Sequence, residues 1–138
     1  MTFEEAKREL KQYTLLGQMQ LESINKLKEL EERAYSLKSG NDEIERVQTS
    51  SYSNTVQNAF ERVWEQRTNT AKLVAELSKK QEDIVLKIKR LPSPFADILF
   101  KKYVQCKRLE KVCLELNYDY YWLSNLHNRA IKMYSQIL

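Results

Sequence analysis

The sequence predicts an all-helical protein in which an antiparallel pair of long, coiled-coil-like helices precedes a small three-helix domain. Two glycines and two prolines in 138 residues leave few positions for the tight turns that a sheet needs. Apolar residues recur at steps of three and four along most of the chain, which is the period of a helix. Pro92 and Pro94 divide residues 1–90 from residues 91–138, and we predict these two ranges as domains.

The first predicted helix runs from about Thr2 to Ser39. Thr2 and Glu5 match a capping box, in which the hydroxyl and the carboxylate each accept a backbone N–H of the first turn. Gly17 separates two apolar stripes and is the predicted site of a bend or of an offset between the stripes. Gly40 predicts the helix end. The stripes consist of Phe3, Ala6, Leu10 and Tyr13, and then of Ile24, Leu27, Leu30, Ala34 and Leu37.

A heptad seam marks the second predicted long helix, which follows a polar, flexible connector over residues 40–54. From Val56 to Leu91, seam positions alternate steps of four and three, and most of them are apolar. Such a seam predicts a partner helix. That partner is either the first helix folded back antiparallel or a second copy of the chain, which would give a homodimer. The seam has three polar positions, Arg67, Thr70 and Gln81. We interpret them as residues that fix the register of the helix pair, or as a part of the seam that is locally solvated.

Three short helices are predicted over residues 94–138. Ser93 is expected to cap the first of them, with Pro94 at its first helical position. Asn117 and Tyr118 form the turn between the second and third helices, since asparagine tolerates positive φ, and Asp119 caps the third. A gap this short predicts a helix-turn-helix. The predicted inner faces hold Phe95, Ile98, Leu99 and Tyr103; Leu109, Val112, Cys113 and Leu116; and Leu123, Leu126, Ala130 and Tyr134.

Residues able to support catalysis or bind a metal are scarce. His127 is the one histidine, and no cysteine, serine or carboxylate accompanies it at a telling spacing; we expect a packing or phosphate-backbone role for it. Cys106 and Cys113 are predicted to lie on one helix face, about 10 Å apart, too far for a disulfide. We interpret them as two buried, reduced thiols. The sequence thus predicts a non-enzyme without cofactor, metal or small-molecule substrate, lacking a secretory signal or membrane span and located in the cytoplasm.

Positive charge is concentrated toward the C-terminus. The chain has a net charge of +4, of which residues 91–138 carry +3 with seven basic and four acidic side chains. Lys87, Lys89 and Arg90 lie just upstream and raise the charge of this region further. A basic cluster on a small helical domain fits a polyanionic partner.

The outward face of the third short helix is the predicted binding surface. Asparagine can pair with adenine edges in a bidentate way and serine with several bases, while arginine and lysine bind phosphates. The same face can also be an ordinary solvated helix surface, although its aromatic residues favour a packing or binding role. The predicted DNA contacts are Tyr120, Tyr121, Ser124, Asn125, Asn128, Arg129 and Lys132 on this helix, with Lys107 and Arg108 before the second helix.

Four stretches of residues 91–131 resemble the sigma-70 region-4-like domain of small phage and prophage regulators. They are Leu91-Pro92-x-Pro94, Ile98-Leu99 with Tyr103-Val104, Leu109-Glu110 through Leu116-Asn117-Tyr118, and Leu126-His127-x-Arg129-Ala130. The pattern is similar to that of the ArpU and RinA groups of late-gene activators in Gram-positive bacteria. The long helices also suit an uncharacterised phage family with this domain at its C-terminus. The chain departs from these groups at Asn125, where a basic residue is common, at Asn128, where a small one is, and at Cys113, where alanine is usual.

Two functions are consistent with this sequence. The resemblance implies a sequence-specific, double-stranded DNA-binding regulator of phage or prophage late genes, acting in a bacterial host, with the third helix in a major groove. A homodimer through the Val56–Leu91 seam would let it read two half-sites. The alternative is a protein-interaction module that binds RNA polymerase or another regulator through its aromatic surface, with little DNA contact.

Overall fold

The computed structural model describes residues 1–39 and 49–137, and every regular element in these ranges is helical. The elements, in chain order, are α1 (Phe3–Ser39), α2 (Thr49–Lys89), α3 (Phe95–Leu99), a π-helical turn (Phe100–Val104), α4 (Leu109–Leu116) and α5 (Tyr120–Ser135). The all-helical prediction is therefore confirmed, with two long helices in the first part of the chain. No helix in the described ranges has an apolar stretch long enough to cross a bilayer.

The predicted capping box begins α1. The backbone N–H of Thr2 donates to Glu5 Oε2 at 3.1 Å, and that of Glu5 donates to Thr2 Oγ1 at 3.2 Å. The helix continues through Gly17 without interruption. A Cβ at Gly17 would lie 3.2 Å from Nε2 of Gln81, so this glycine leaves room for a side chain of α2.

The described chain divides into two compact units, to each of which α1 and α2 contribute. Unit 1 consists of residues 1–18 and 78–138, and unit 2 consists of residues 19–77. This division places the start of α1 and the end of α2 in the same unit as the short helices. The predicted boundary at residue 90 was drawn from local sequence alone, and it stays a prediction.

In unit 1 the first part of α1 runs antiparallel to the end of α2. Lys87 Nζ lies 3.1 Å from Glu9 Oε1, and Gln81 Nε2 donates to the Tyr13 carbonyl oxygen at 3.0 Å. Residue numbers therefore fall along α2 as they rise along α1. The buried apolar residues of this pair are Ala6, Leu10, Leu16, Ile84 and Ile88, and Leu91 is buried just after α2 ends.

The short helices of unit 1 share an apolar core. Both α3 and α4 pack against α5. The core consists of Ile98, Val112, Cys113, Leu123 and Leu126, with Phe95, Leu109, Leu116 and Tyr118 packed at its edge. All of them except Tyr118, which was predicted in the turn, are residues that helical periodicity assigned to the inner faces, because apolar side chains at three- and four-residue steps share one side of a helix.

Unit 2 contains seam positions of α2 with both apolar and polar side chains. Val63, Leu77 and Thr70 are buried, and Gln66 Nε2 lies 3.4 Å from the Thr70 hydroxyl. Arg67 donates from Nε to Glu31 Oε1 on α1 at 2.8 Å. The polar seam positions are thus hydrogen-bonded rather than unsatisfied. A homodimer through the seam stays a prediction.

Three local predictions differ from the structure. Helix α2 begins at Thr49, so residues 49–54 are helical, and the rest of the predicted connector lies outside the described residues. Ser93 does not cap α3: Pro94 occupies the N-cap position, and the Ser93 hydroxyl donates to Asp97 Oδ2 at 3.1 Å. Asp119 occupies the N-cap position of α5 as predicted, but its side chain makes no capping hydrogen bond.

The prediction of two helical, buried thiols is wrong for Cys106. Cys106 lies in the segment between the π-helical turn and α4, is exposed, and has a φ of 56°. Just after the π-helical turn, the Lys107 N–H donates to the Lys101 carbonyl oxygen at 3.0 Å. Cys113 is buried in the core, as predicted.

Candidate nucleic-acid interface

The turn between α4 and α5 has the predicted left-handed residue. Asn117 has φ and ψ of 58° and 42°. Its position lets the Tyr118 N–H donate to the Cys113 carbonyl at 3.1 Å, which satisfies one of the last carbonyls of α4. Two residues later α5 begins at Tyr120. The tight turn therefore sets the direction of α5 relative to α4.

One side of α5 is buried and the opposite side is exposed. At 100° per residue, Tyr121, Asn125, Asn128 and Lys132 share one stripe, and all four are exposed. We call this stripe the outward face. The buried side consists of Leu123, Leu126, His127, Ala130, Ile131 and Tyr134. Sequence reasoning assigned four of these six residues to the interior, left His127 open between packing and a phosphate-backbone contact, and missed the burial of Ile131.

The remaining predicted contacts on α5 lie beside the outward face. Arg129 is exposed, and its guanidinium carbon is 5.9 Å from the centroid of the Trp122 ring. Ser124 is half-buried on the other edge, and Tyr120 lies at the first position of the helix, outside the stripe. The ring of Tyr120 meets that of Tyr121 edge to face, with centroids 6.2 Å apart.

Charge on α5 is entirely positive, since Arg129 and Lys132 are its charged residues and Tyr120–Ser135 contains no aspartate or glutamate. Asp119 stands just before the helix. The positive charge lies toward the C-terminal half of α5, while the N-terminal half presents aromatic and amide groups. The surface can therefore hydrogen-bond with bases and attract phosphates, without a carboxylate on the helix to repel them.

Lys107 and Arg108 lie apart from the outward face. Glu115 binds Lys107 at 2.7 Å and Lys101 at 2.9 Å. Hydrogen bonds from Lys107 and then from Lys101 lower the pKa of Glu115 to about 2. The Lys107 charge is thus offset by a carboxylate, whereas Arg108 is exposed at the N-cap position of α4.

His127 lies on the buried side of α5. Its Nε2 is 2.8 Å from the hydroxyl of Tyr103, and the two rings stack with centroids 5.6 Å apart. Burial, followed by the positive charges of Lys102 and Lys7, lowers the pKa of His127 to about 4. Burial also raises the pKa of Tyr103 to about 12. Both side chains are therefore neutral at pH 7, which fits the packing role rather than a contact with DNA.

Comparison of the chain with protein-family models, with curated proteins and with solved structures finds no match.

Proposed function

We propose that this protein binds double-stranded DNA through the outward face of α5. The observation that carries the proposal is the division of this helix into a buried apolar side and an exposed side with amides, aromatics and cations but no carboxylate. A helix fixed by its core and preceded by a tight turn can enter a major groove, which has the width of one helix. Asn125 and Asn128 would read base edges there.

In this proposal the cations of α5 position the protein on the phosphate backbone. Arg129 lies four residues after Asn125, and Lys132 lies four residues after Asn128, about one helical turn in each case. The Trp122 ring beneath the Arg129 guanidinium holds that cation near the surface. The resemblance to phage and prophage regulators extends the proposal to transcriptional control of such genes in the bacterial cytoplasm.

Fluorescence anisotropy with a random duplex over a range of salt concentrations tests the proposal. We expect log K to fall linearly with log salt, by roughly 0.9 for each phosphate neutralised. The double variant Arg129→Ala/Lys132→Ala should weaken binding to every sequence and reduce the slope by about 2. The matched control, Lys79→Ala/Lys80→Ala, removes the same charge from exposed positions of α2. It should leave the affinity for DNA and the slope with salt unchanged.

Sequence reading is tested separately once a preferred site has been selected from a random library. Alanine at Asn125 or Asn128 should reduce discrimination at one base pair by about 1–3 kcal/mol while leaving binding to random duplex unchanged. An equal loss of affinity for all DNA sequences would contradict a role of these asparagines in base recognition. Absence of any salt-dependent binding by the full chain would contradict the DNA proposal as a whole.

A second candidate function, a protein-interaction module, is supported by exposed apolar side chains. Leu114 on α4 and Tyr121 on α5 are each 79% exposed, and Trp122 is 48% exposed. Aromatic residues of this kind are enriched in protein interfaces. This candidate predicts binding to RNA polymerase that Tyr121→Ala and Leu114→Ala abolish, with no retardation of DNA.

A further inference from the structure

A basic cleft lies in unit 1 on the opposite side of α5 from the outward face. Its volume is about 530 Å³, within the range of small-molecule sites. Side chains from five parts of the unit line it: the start of α1, the π-helical turn, the segment before α4, Leu109 at the start of α4, and His127 of α5. At 100° per residue His127 points roughly 160° away from Asn125, so one ligand on the outward face would not fill the cleft.

Five cationic side chains line this cleft, and no carboxylate does. Within residues 1–39 and 49–137, Lys107 alone among the five has an ion-pair partner, Glu115. Lys7, Lys102 and Lys107 are half-buried, while Lys11 and Arg108 are exposed. Gathering like charges in this way costs free energy unless a counter-charge enters. Burial, and after it the positive charges of Lys102 and Lys7, lower the pKa of His127, which lines the same cleft. The five cations are Lys7, Lys11, Lys102, Lys107 and Arg108.

The rest of the cleft wall combines polar donors with flat apolar groups. The Thr14 hydroxyl and the Cys106 thiol lie 3.1 Å apart at the cleft. Leu109 and the stacked rings of Tyr103 and His127 supply an apolar wall. A ligand that complements this cleft carries several negative charges at one end and a flat ring at the other.

We propose that this cleft binds a small ring-bearing polyphosphate, of the chemical class of a nucleoside di- or triphosphate. Lys7 and Lys11, one turn apart on α1, line the cleft together with Lys102 and Arg108 and would bind its phosphate oxygens. The ring would lie against Leu109 and the Tyr103–His127 pair. The site is independent of the DNA proposal, because neither Arg129 nor Lys132 lines it.

Calorimetric titration of the full-length protein with ATP, GTP and inorganic pyrophosphate tests the inference. We expect a nucleotide to bind with at least roughly tenfold higher affinity than pyrophosphate, because of the apolar wall. Lys7→Gln and Lys102→Gln should each weaken nucleotide binding by roughly tenfold or more, as expected for charged hydrogen bonds. Their melting temperatures should stay equal or rise, since each removes like-charge repulsion. Lys79→Gln, at an exposed position of α2, is the matched control. It should change neither the affinity for nucleotide nor the melting temperature.

Two probes report on the cleft directly. His127 is the sole histidine, so its NMR titration is resolved without assignment, and a bound polyphosphate should raise its pKa from about 4. Cys106 is exposed, whereas Cys113 is buried. Bound nucleotide should therefore slow the reaction of the Cys106 thiol with Ellman's reagent.

Several results would overturn the inference. They are an absence of nucleotide binding at millimolar concentration, nucleotide binding that Lys7→Gln and Lys102→Gln leave intact, and equal affinity for pyrophosphate and nucleotide. Anisotropy with duplex DNA gives a further test. If Lys7→Gln and Lys102→Gln weaken DNA binding as strongly as Arg129→Ala/Lys132→Ala does, the cleft belongs to a nucleic-acid surface and not to a small-ligand site. Failure of the DNA proposal alone would leave all the nucleotide measurements unchanged.

Discussion

Replacing Tyr134 with alanine should lower the free energy of unfolding by roughly 3–5 kcal/mol, the usual cost of deleting a buried aromatic ring. Tyr134 is the largest fully buried side chain among the described residues. Its ring lies 5.6 Å from Nζ of Lys87 on α2, and that amine also pairs with Glu9 of α1. Tyr134 therefore joins α5 to the two long helices, and a cavity there would loosen all three.

Removing only the hydroxyl of Tyr134 should not lower the free energy of unfolding, in contrast to removing the ring. This hydroxyl is buried and makes no hydrogen bond of normal length among the described residues. Burial raises its pKa most, followed by the charge of the Glu9 carboxylate and a long, weak hydrogen bond toward that carboxylate, so it stays protonated. Removing an unsatisfied buried hydroxyl avoids a desolvation cost of about 1–3 kcal/mol. Tyr134→Phe keeps the ring and its cation contact, and should equal or exceed the parent protein in stability.

Urea unfolding followed by Trp122 fluorescence measures both variants in unit 1. The Trp64→Phe background removes the second tryptophan, which lies in unit 2 and is 71% exposed. A loss of about 3 kcal/mol or more in Tyr134→Phe would show that the hydroxyl is hydrogen-bonded in solution. A loss below about 1 kcal/mol in Tyr134→Ala would contradict its role as the packing link between α5 and the long helices.

Local sequence patterns predicted the helices and most of the core because their causes lie within a few residues. The Thr2–Glu5 capping box and the left-handed Asn117 depend on backbone groups no more than five positions away. The inner faces of α4 and α5 follow from the helical period, which needs no knowledge of the partner helix.

The features that sequence reasoning missed are irregular backbone conformations and contacts between residues distant in the chain. The π-helical turn and the positive φ of Cys106 expose a thiol that periodicity placed on a buried face. Lys7 and Lys102 are 95 positions apart in sequence yet line one cleft, and no local pattern joins them. The proximity of Lys107 and Lys101 to Glu115 could have been suspected from charge, but only their geometry shows that one carboxylate binds both.

Acidification should destabilise unit 1 through His127. Its pKa is about 4 in the folded protein against 6.5 for the unperturbed side chain. Between these values the unfolded chain binds a proton that the folded chain excludes. The stabilising contribution is therefore complete above pH 6.5, decreases as the pH falls toward 4, and is lost below that value. A shift of this size corresponds to roughly 2–3 kcal/mol, allowing for partial solvent screening.

The groups around His127 define the control experiments. His127→Gln cannot take up a proton, and its amide can still hydrogen-bond with the Tyr103 hydroxyl, so its stability should change less between pH 6.5 and 4 than that of the parent protein. The pKa of Glu115 is lowered to about 2 from 4.5. Its contribution to the free energy of unfolding is present above pH 4.5 and is lost as the pH falls toward 2. Glu115→Gln should therefore reduce the pH dependence of stability in that lower range instead. Urea unfolding at each pH, with the histidine titration by NMR, separates the two groups. An unchanged slope between pH 6.5 and 4 in His127→Gln, or a folded-state pKa near 6.5, would show that the imidazole is solvated and that the stacked Tyr103–His127 pair does not close that wall of the cleft.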